Sequence, residues 1–473
     1  MRESPVASWT RVAWMTHTGA EGQYGPRARF LAFFFDRRPM PPARTVEERS
    51  MDILYERVAG LDVHKDTVVA CLRIMVEGKA QRECRTFAAT TEQLAELRRW
   101  LEESRCTHVA MEATGVYWMP VFRILGEGAF ELIVANAAHI KNVPGRKTDM
   151  NDAMWIADLL ACGLIKGSFI PEERVQELRA LTRTRKQLVR EQTRHVQRID
   201  KTLAEANIKL GSVISDIMGA SGRRIIQAMI NGERQPNKLA ELAGKQIKAS
   251  PKELYDALHG RLTDHHRFLL ALHLQQWDVL DETIRRLDAE IAERIERMEA
   301  EADGRKIPFR HLIGLLTTVP GVSAVAAPAI LSEIGADMSR FRTAGHLVAW
   351  TGLCPGQNES AGKRKSSRLR KGAPWLKTML VQCAWAAKRS KNSYYRTQFF
   401  RLQAKRGPQK AICAVAASIL TAIYHILKDG TEHRDLGAAY FDRRPMEVQA
   451  NRLVARLKKL GFTVQLQPTA EAA

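Results

Sequence analysis

The sequence predicts a multidomain α/β-plus-α protein: an N-terminal domain of strands and helices, a helical arm, and a mostly α-helical C-terminal domain. Three observations lead there. Residues 56–170 alternate short apolar strands with amphipathic helices, the pattern of a sheet covered by helices. Residues 172–235 and 252–307 contain no proline and carry apolar residues at steps of three and four, the signature of long helices. Residues 308–433 hold further apolar helices, joined by a Pro-Gly turn and a Gly- and Ser-containing loop. The chain of 473 residues with 45% hydrophobic content is long enough for two or three cored domains.

Residues 1–50 are rich in Arg, Pro and Gly and show no sustained period. The hexapeptide FDRRPM occurs at 35–40 and again at 441–446. We expect 1–50 to be a disordered or non-native extension, with Met51 as the working start; a native N-terminus at Met1 in mass spectrometry would exclude this. The expected domains are then 51–170 for the sheet, 171–307 for the arm, 308–433 for the helical C-terminal domain and 434–473 for a polar tail.

Within the first domain, ERVAGLDVHKDTVVACLRI (56–74) reads as one strand with an acidic interruption at Asp62. A second strand is expected near Arg82–Phe87. TEQLAELRRWLEES is an amphipathic helix with Leu94, Leu97 and Leu101 on one face, capped by Thr90 or Thr91. THVAMEAT is a short strand ending near Glu112, GVYWMPVFRILGEG a helix and ELIVANA a strand. The alternation predicts a largely parallel central sheet. In the arm, Leu280, Ile284, Leu287, Ile291, Ile295 and Met298 form an apolar seam, and an antiparallel coiled coil or dimer arm follows. TTVPGVSAVAAPAILSEIG places a Pro-Gly turn between apolar helices, like a helix-hairpin-helix element whose turn amides hold phosphate; Ser323 stands where a second glycine is common.

The chemistry concentrates in acids and bases. GRKTDMNDAMWIADLL sets Asp149 and Asp152 three apart at the entrance of a helix, a spacing that puts both carboxylates on one helix face. Taken alone, such acids are better explained by helix capping than by metal binding. Asp62 is more informative, because an acid between Leu61 and Val63 in an apolar strand is costly unless paired or metal-bound. With Glu112 at a strand end, three or four carboxylates at one sheet edge would repel unless a cation neutralises them. Mg²⁺ (or Mn²⁺) suits an all-oxygen set completed by phosphate and water. Lys plus Arg number 73 against 52 acids, a net charge of +21, which favours a polyanionic partner. Two stretches carry candidate contacts: Arg183, Arg185, Lys186, Arg190 and Arg194 in the arm, and Lys363, Arg364, Lys365, Arg368, Arg370 and Lys371 in KRKSSRLRK, where six of nine residues are basic. For the arm a solvated basic face is an equal reading. The seven cysteines form no C-x-x-C pair and are odd in number, against a zinc knuckle or disulfide framework. No signal peptide is visible, and the apolar run 411–427 reads as a buried helix rather than a membrane span.

GLDVHKD, MEATGVYW and RKTDMNDAMWIADLL resemble the three motif blocks of DEDD insertion-sequence transposases, a family of bridge-RNA-guided serine recombinases. TTVPGVSAVAAPAILSEIG and GLCPGQNESAGKRKSSRLRKGAPWLKTML resemble its second region, and the five blocks stand in order over roughly residues 56–430. The resemblance implies a RuvC-like, RNase H-like first domain with Asp62, Glu112, Asp149 and Asp152 as metal ligands. It implies a C-terminal transposase domain whose nucleophile is Ser360, with Ser366 and Ser367 as alternatives in register; Ala361 stands where family members more often have Gly. It further implies double-stranded donor and target DNA, a guide RNA, a homo-oligomer (dimer or tetramer), a bacterial cytoplasmic location and no membrane. A metal-dependent junction nuclease using water, and a non-enzymatic DNA-binding protein, are the competing expectations.

Overall fold

Val58, Gly60 and Asp62 alternate with Ala59, Leu61 and Val63 along the first strand, so one face of the central strand ends in an acid. The computed structural model describes residues 53–137, 140, 151–300, 308–356, 358–366, 368–442 and 446–466. It divides into two units, 1–168 and 169–473, each taken by itself below.

The first unit is a five-stranded sheet in the order β3-β2-β1-β4-β5. Its strands are β1 Arg57–Val63, β2 Thr67–Val76, β3 Lys79–Ala88, β4 His108–Glu112 and β5 Glu131–Ala135. Helices α1 Thr91–Glu103 and α2 Trp118–Leu125 connect β3, β4 and β5, and α3 Asp152–Ala161 follows. The stretch expected as one strand is a hairpin of two. It reverses at His64–Asp66, where His64 N donates to Thr67 O at 2.9 Å. The β2–β3 hairpin closes through Glu77 (φ 49°) and Gly78 (φ 77°), the paired left-handed residues of a two-residue type I′ turn. The expectation of a largely parallel sheet is therefore corrected: β1–β2–β3 is an antiparallel meander, and only β1–β4 and β4–β5 are parallel. Links of two or three residues leave no room for the crossover that parallel pairing needs. Leu94, Leu97 and Leu101 of α1 are buried as expected; Thr90 occupies the cap position without a side-chain bond.

Helix α3 lies against β1, and Gly60 makes that approach possible. A Cβ at Gly60 would sit 2.2 Å from Ala153 O and 2.4 Å from Ala157 N. Ala110, Ala135, Trp155, Ile156, Leu159 and Leu160 fill the interface around it. Gly60→Ala is expected to push α3 off the sheet at a cost of about 3 kcal/mol. Hydrogen exchange checks this: amides of 152–161 should lose protection while those of the C-terminal core keep theirs, and unchanged protection of 152–161 would refute it.

In the second unit, α4 Glu173–Glu205 leads to the short helices α5 Leu210–Val213, α6 Ala220–Ile230, α7 Pro236–Glu241 and α8 Pro251–Leu258, and α9 Asp264–Ala300 returns. The pairs Glu177–Arg294 (2.7 Å), Arg185–Asp288 and Gln192–Asp281 (3.2 Å) run in opposite order along the two chains, so α4 and α9 are antiparallel. The seam is placed as expected: Ile284, Ile291 and Ile295 are buried. The α5–α8 helices pack a small core of their own against Ile199, Leu203, Leu270 and Leu274. The other end of the pair shares one core with residues 309–427, through Leu178, Ile291 and Ile295.

His195 and His273 face each other across this pair, ring centroids 5.4 Å apart, and both Nδ1 atoms are buried without a partner. Burial lowers both pKa values below the usual 6.5, with Arg198 adding to each and His195 adding to His273. Each folded-state value is depressed, so below about pH 6.5 the unfolded chain binds more protons and stability falls as pH falls. Lowering the pH from neutrality toward 5.5 should loosen this part of the helix pair in hydrogen exchange. The double variant His195→Gln/His273→Gln should flatten the dependence; an unaltered pH profile would refute it.

The C-terminal helices are α10 Phe309–Thr317, α11 Ala326–Ile334, α12 Ala344–Thr351, α13 Pro374–Ala387, α14 Tyr394–Arg406, α15 Pro408–Asp429 and α16 Met446–Lys459, with a 3-10 turn at Ala438–Asp442. A two-stranded ribbon, β6 Asn358–Ser360 and β7 Lys363–Ser366, stands between α12 and α13. Helix α15 is long and apolar enough to cross a membrane, but Val415, Ile419, Leu420 and Ile423 are wholly buried among the other helices, as the sequence predicted for 411–427. Gly321, in the Pro-Gly turn between α10 and α11, has φ 88°, and a Cβ there would lie 2.2 Å from Cys383 O of α13. The turn glycine thus seats α13. Ser323, standing where a second glycine is common, accepts from Ala326 N at 3.2 Å at the start of α11.

Candidate metal centre and serine ribbon

Strand alternation and register place two of the four expected acids together. Leu61 of β1 pairs with Met111 of β4 in parallel, so Asp62 and Glu112 are the next residues on neighbouring strands. They follow Val58 and Gly60 on β1, and His108 and Ala110 on β4, on the face that α3 covers. Both carboxylates stand at the C-terminal ends of parallel strands, where an α/β sheet opens to a ligand. Asp62 is 23% exposed and its Oδ2 lies 3.2 Å from His64 Nε2, on a turn side chain that is 58% exposed. Thr114 Oγ1 donates to Glu112 Oε1 at 3.4 Å. Asp152 is the first residue of α3, the helix that Gly60 holds against β1.

The helix cap is Asn151, whose Oδ1 accepts from Ala153 N at 2.9 Å. Asp152 is therefore not needed as the side-chain cap. Asp149 lies outside the described residues. Among the described residues no group of three or more His, Cys, Asp or Glu converges as a complete metal set. The donor chemistry nonetheless fits a hard divalent cation: two carboxylates on one sheet face, with a third on the helix start packed on the same strand, all oxygen donors.

One acid on α3 was not singled out from the sequence. Asp158 Oδ1 takes Arg73 Nε at 3.0 Å and Arg82 Nη2 at 2.9 Å. Arg73 (β2) and Arg82 (β3) are cross-strand partners, so this cluster clamps α3 to the sheet from a side other than the Gly60 contact. The signal was present: Asp158 sits between Ala157 and Leu159 in an apolar helix, the same anomaly that marked Asp62.

Ser360 ends β6 and pairs with Lys363 of β7. Between them Ala361 (φ 49°) and Gly362 (φ 73°) form a second type I′ turn, so Ser360 is exposed at the tip of the ribbon. An alanine in this left-handed position carries strain that glycine would not. The ribbon continues below the tip: Gly356 N donates to Arg368 O (2.9 Å) and Arg370 N to Cys354 O (3.1 Å). At its root a Cβ on Gly352 would lie 2.7 Å from Arg370 O, and one on Gly372 2.5 Å from Gly352 N. Lys363, Lys365, Arg368, Arg370 and Lys371 are exposed and have no ion pair among the described residues. Arg364 is on β7, its side chain outside the described set, as is Ser367. Ser366 is half-buried and its Oγ accepts from Arg368 N at 3.2 Å.

The arm bases divide differently. Arg183 makes a two-pronged pair with Glu333 (2.7 and 2.8 Å), a carboxylate only 6% exposed. Arg185 pairs with Asp288. Lys186 Nζ donates to Trp375 O at 3.2 Å, and burial lowers its pKa. These three are engaged within the chain. Arg190 lies 5.3 Å from the centre of the Trp375 ring, and Arg190 and Arg194 are both exposed. Trp118 packs edge-on to Phe122, while its neighbour Tyr117 is exposed. All seven cysteines are free thiols.

Residues 59–208 match a family profile, the IS110-type DEDD domain, described as "Transposase". Residues 314–400 match a second, described as "Transposase IS116/IS110/IS902 family". The chain thus carries the two domains of IS110-family transposases, and these matches contain Asp62, Glu112, Asp149, Asp152 and Ser360. It is also 23% identical over 310 residues to a Sinorhizobium fredii (strain NBRC 101917 / NGR234) protein named "Putative transposase y4qE". That alignment spans 65% of this chain and 65% of the relative.

Proposed function

We propose that this protein is a DNA transposase and recombinase of an insertion sequence, cutting and rejoining DNA through a phosphoserine link. The observation that carries the proposal is the pairing of two matched transposase domains with two chemically distinct sites: carboxylates on one sheet face, and Ser360 at the tip of a basic ribbon whose described bases carry no ion pair. The strand order β3-β2-β1-β4-β5, an antiparallel meander followed by two parallel strands, supports an RNase H-like, RuvC-like first domain.

Asp62, Glu112, Asp149 and Asp152 would hold Mg²⁺ or Mn²⁺, which when bound lowers the cost of charge developing on the scissile phosphate. In this reading Lys363 and Lys365 bind that phosphate, with Arg364, Arg368, Arg370 and Lys371 along the flanking strand. Their charge stabilises the phosphorane-like transition state. The Ser360 oxygen forms a bond to phosphorus as the phosphorus–oxygen bond to the leaving strand breaks. Serine gives up its proton and the departing DNA oxygen gains one, leaving a hydroxyl. Attack by a DNA hydroxyl on the phosphoserine reverses the step and joins strands, so bond energy is conserved.

Double-stranded donor and target DNA are the substrates of this reading. The resemblance supports a guide RNA that supplies target sequence by base pairing, a homo-oligomer (dimer or tetramer) and a bacterial cytoplasmic setting. In the arm, Arg190 and Arg194 remain candidates for nucleic-acid contact; Arg183, Arg185 and Lys186 would have to leave existing partners. Incubating the purified protein with Mg²⁺ and end-labelled DNA carrying the element's ends tests the proposal. A denaturant-stable protein–DNA adduct whose linked peptide contains Ser360 is expected. Cleavage with no adduct at any time would overturn the serine mechanism.

A further inference from the structure

A second basic surface lies beyond the serine ribbon, where α13 meets α14. From Trp385 to Arg406 the sequence carries seven bases (Lys388, Arg389, Lys391, Arg396, Arg401, Lys405 and Arg406) and no acid. None of the seven has a carboxylate partner among the described residues. This differs from the arm, where Arg285, Arg294 and Arg297 each pair with a neighbouring acid. The nearest acid to the α14 start, Asp435, accepts from Tyr394 N (2.9 Å) and Gly437 N (2.8 Å).

Two large aromatic side chains break this basic surface. Trp385 is 37% exposed and Phe400 49% exposed, joined through the buried Phe399 at ring distances of 5.7 and 5.3 Å. Lys388 Nζ lies 4.2 Å from the Trp385 ring centre, and the Arg396 guanidinium 5.1 Å from that of Phe400. Arg396 also donates to Lys388 O at 3.3 Å, which ties the two helices at this point. Exposed rings beside uncompensated cations are what an unpaired strand needs: faces for bases to stack on and charge for its phosphates. A duplex hides its base faces and offers phosphates and groove edges instead, so it gains nothing from stacking.

We propose that Trp385, Phe400, Lys388 and Arg396 form a platform for unpaired DNA, separate from the serine ribbon. The ligand is DNA because the matched domains are those of transposases, and a strand lifted from a duplex exposes its bases. The platform operates whether or not Ser360 is the nucleophile, since stacking needs no chemistry at the ribbon.

Equilibrium binding of the full-length protein to labelled oligothymidylate of about 20 nucleotides, oligouridylate and a duplex of equal length tests the proposal, without metal. Trp385→Ala/Phe400→Ala should weaken oligothymidylate binding roughly tenfold and leave duplex binding within about twofold. Lys388→Gln/Arg396→Gln should lower the salt dependence on the single strand. Trp385→Phe should keep most of the native affinity, which separates stacking from misfolding. Equal losses on single strand and duplex, or no loss on either, would overturn the platform. Tighter binding to oligouridylate than to oligothymidylate would overturn the assignment to DNA and give the surface to RNA.

Discussion

Asp62→Asn is expected to reduce strand cleavage at least about 100-fold, more than the loss of a residue that merely supports a metal ligand, while DNA binding stays within about twofold. The substitution keeps side-chain size and can still hydrogen-bond His64, so a purely structural role for Asp62 would survive it. What it removes is one negative charge from the face that Asp62 shares with Glu112. A cation held by all-oxygen ligands weakens sharply with each carboxylate lost. DNA binding should be spared, because carboxylates repel phosphate and the proposed contacts are basic residues elsewhere. Cleavage of labelled DNA over a range of Mg²⁺ concentrations, beside filter binding, makes the measurement. Asp158→Asn is the control: it strips charge from the clamp with Arg73 and Arg82, so it should loosen α3 in hydrogen exchange as well as slow cleavage. Near-native cleavage by Asp62→Asn with α3 intact would remove the first domain from the chemistry.

The contrast between Asp62 and Asp158 shows what was legible in the sequence. An acid in an apolar strand is conspicuous, because alternation predicts what should stand there. An acid in an apolar helix is less so, because a helix has a polar face somewhere and the neighbour that satisfies Asp158 is 76 residues away at Arg82. Strand positions were legible for the same reason, but direction was not. Reading 56–74 as one strand hid the reversal at His64–Asp66, and with it the antiparallel half of the sheet. The α4–α9 pair was legible from its seam, since periodicity is local. Which arm bases face solvent was not, because Glu333, Asp288 and the Trp375 carbonyl come from remote segments. The ribbon was read as a loop, since its turn uses Ala361 where a glycine would have announced a type I′ hairpin.

Ser360→Ala is expected to leave no detectable covalent adduct and no strand joining, since loss of a serine nucleophile costs on the order of 10⁶-fold in well-studied hydrolases. The geometry makes this a clean substitution. Ser360 is exposed and precedes the turn rather than occupying either left-handed position, and among the described residues its hydroxyl makes no hydrogen bond that holds the ribbon together. Alanine should therefore preserve the hairpin, the Gly352–Gly372 root and DNA affinity. The competing serine is less separable: Ser366 Oγ accepts from Arg368 N, so Ser366→Ala should also loosen the basic strand and weaken binding. The pair of variants thus distinguishes chemistry from architecture. Adduct lost with binding kept assigns the nucleophile to Ser360. Adduct kept in Ser360→Ala moves it to Ser366 or Ser367. Cleavage at native rate by Ser360→Ala, with no adduct in either protein, would leave a metal-dependent nuclease in which the acids of the first unit activate water and the ribbon only binds.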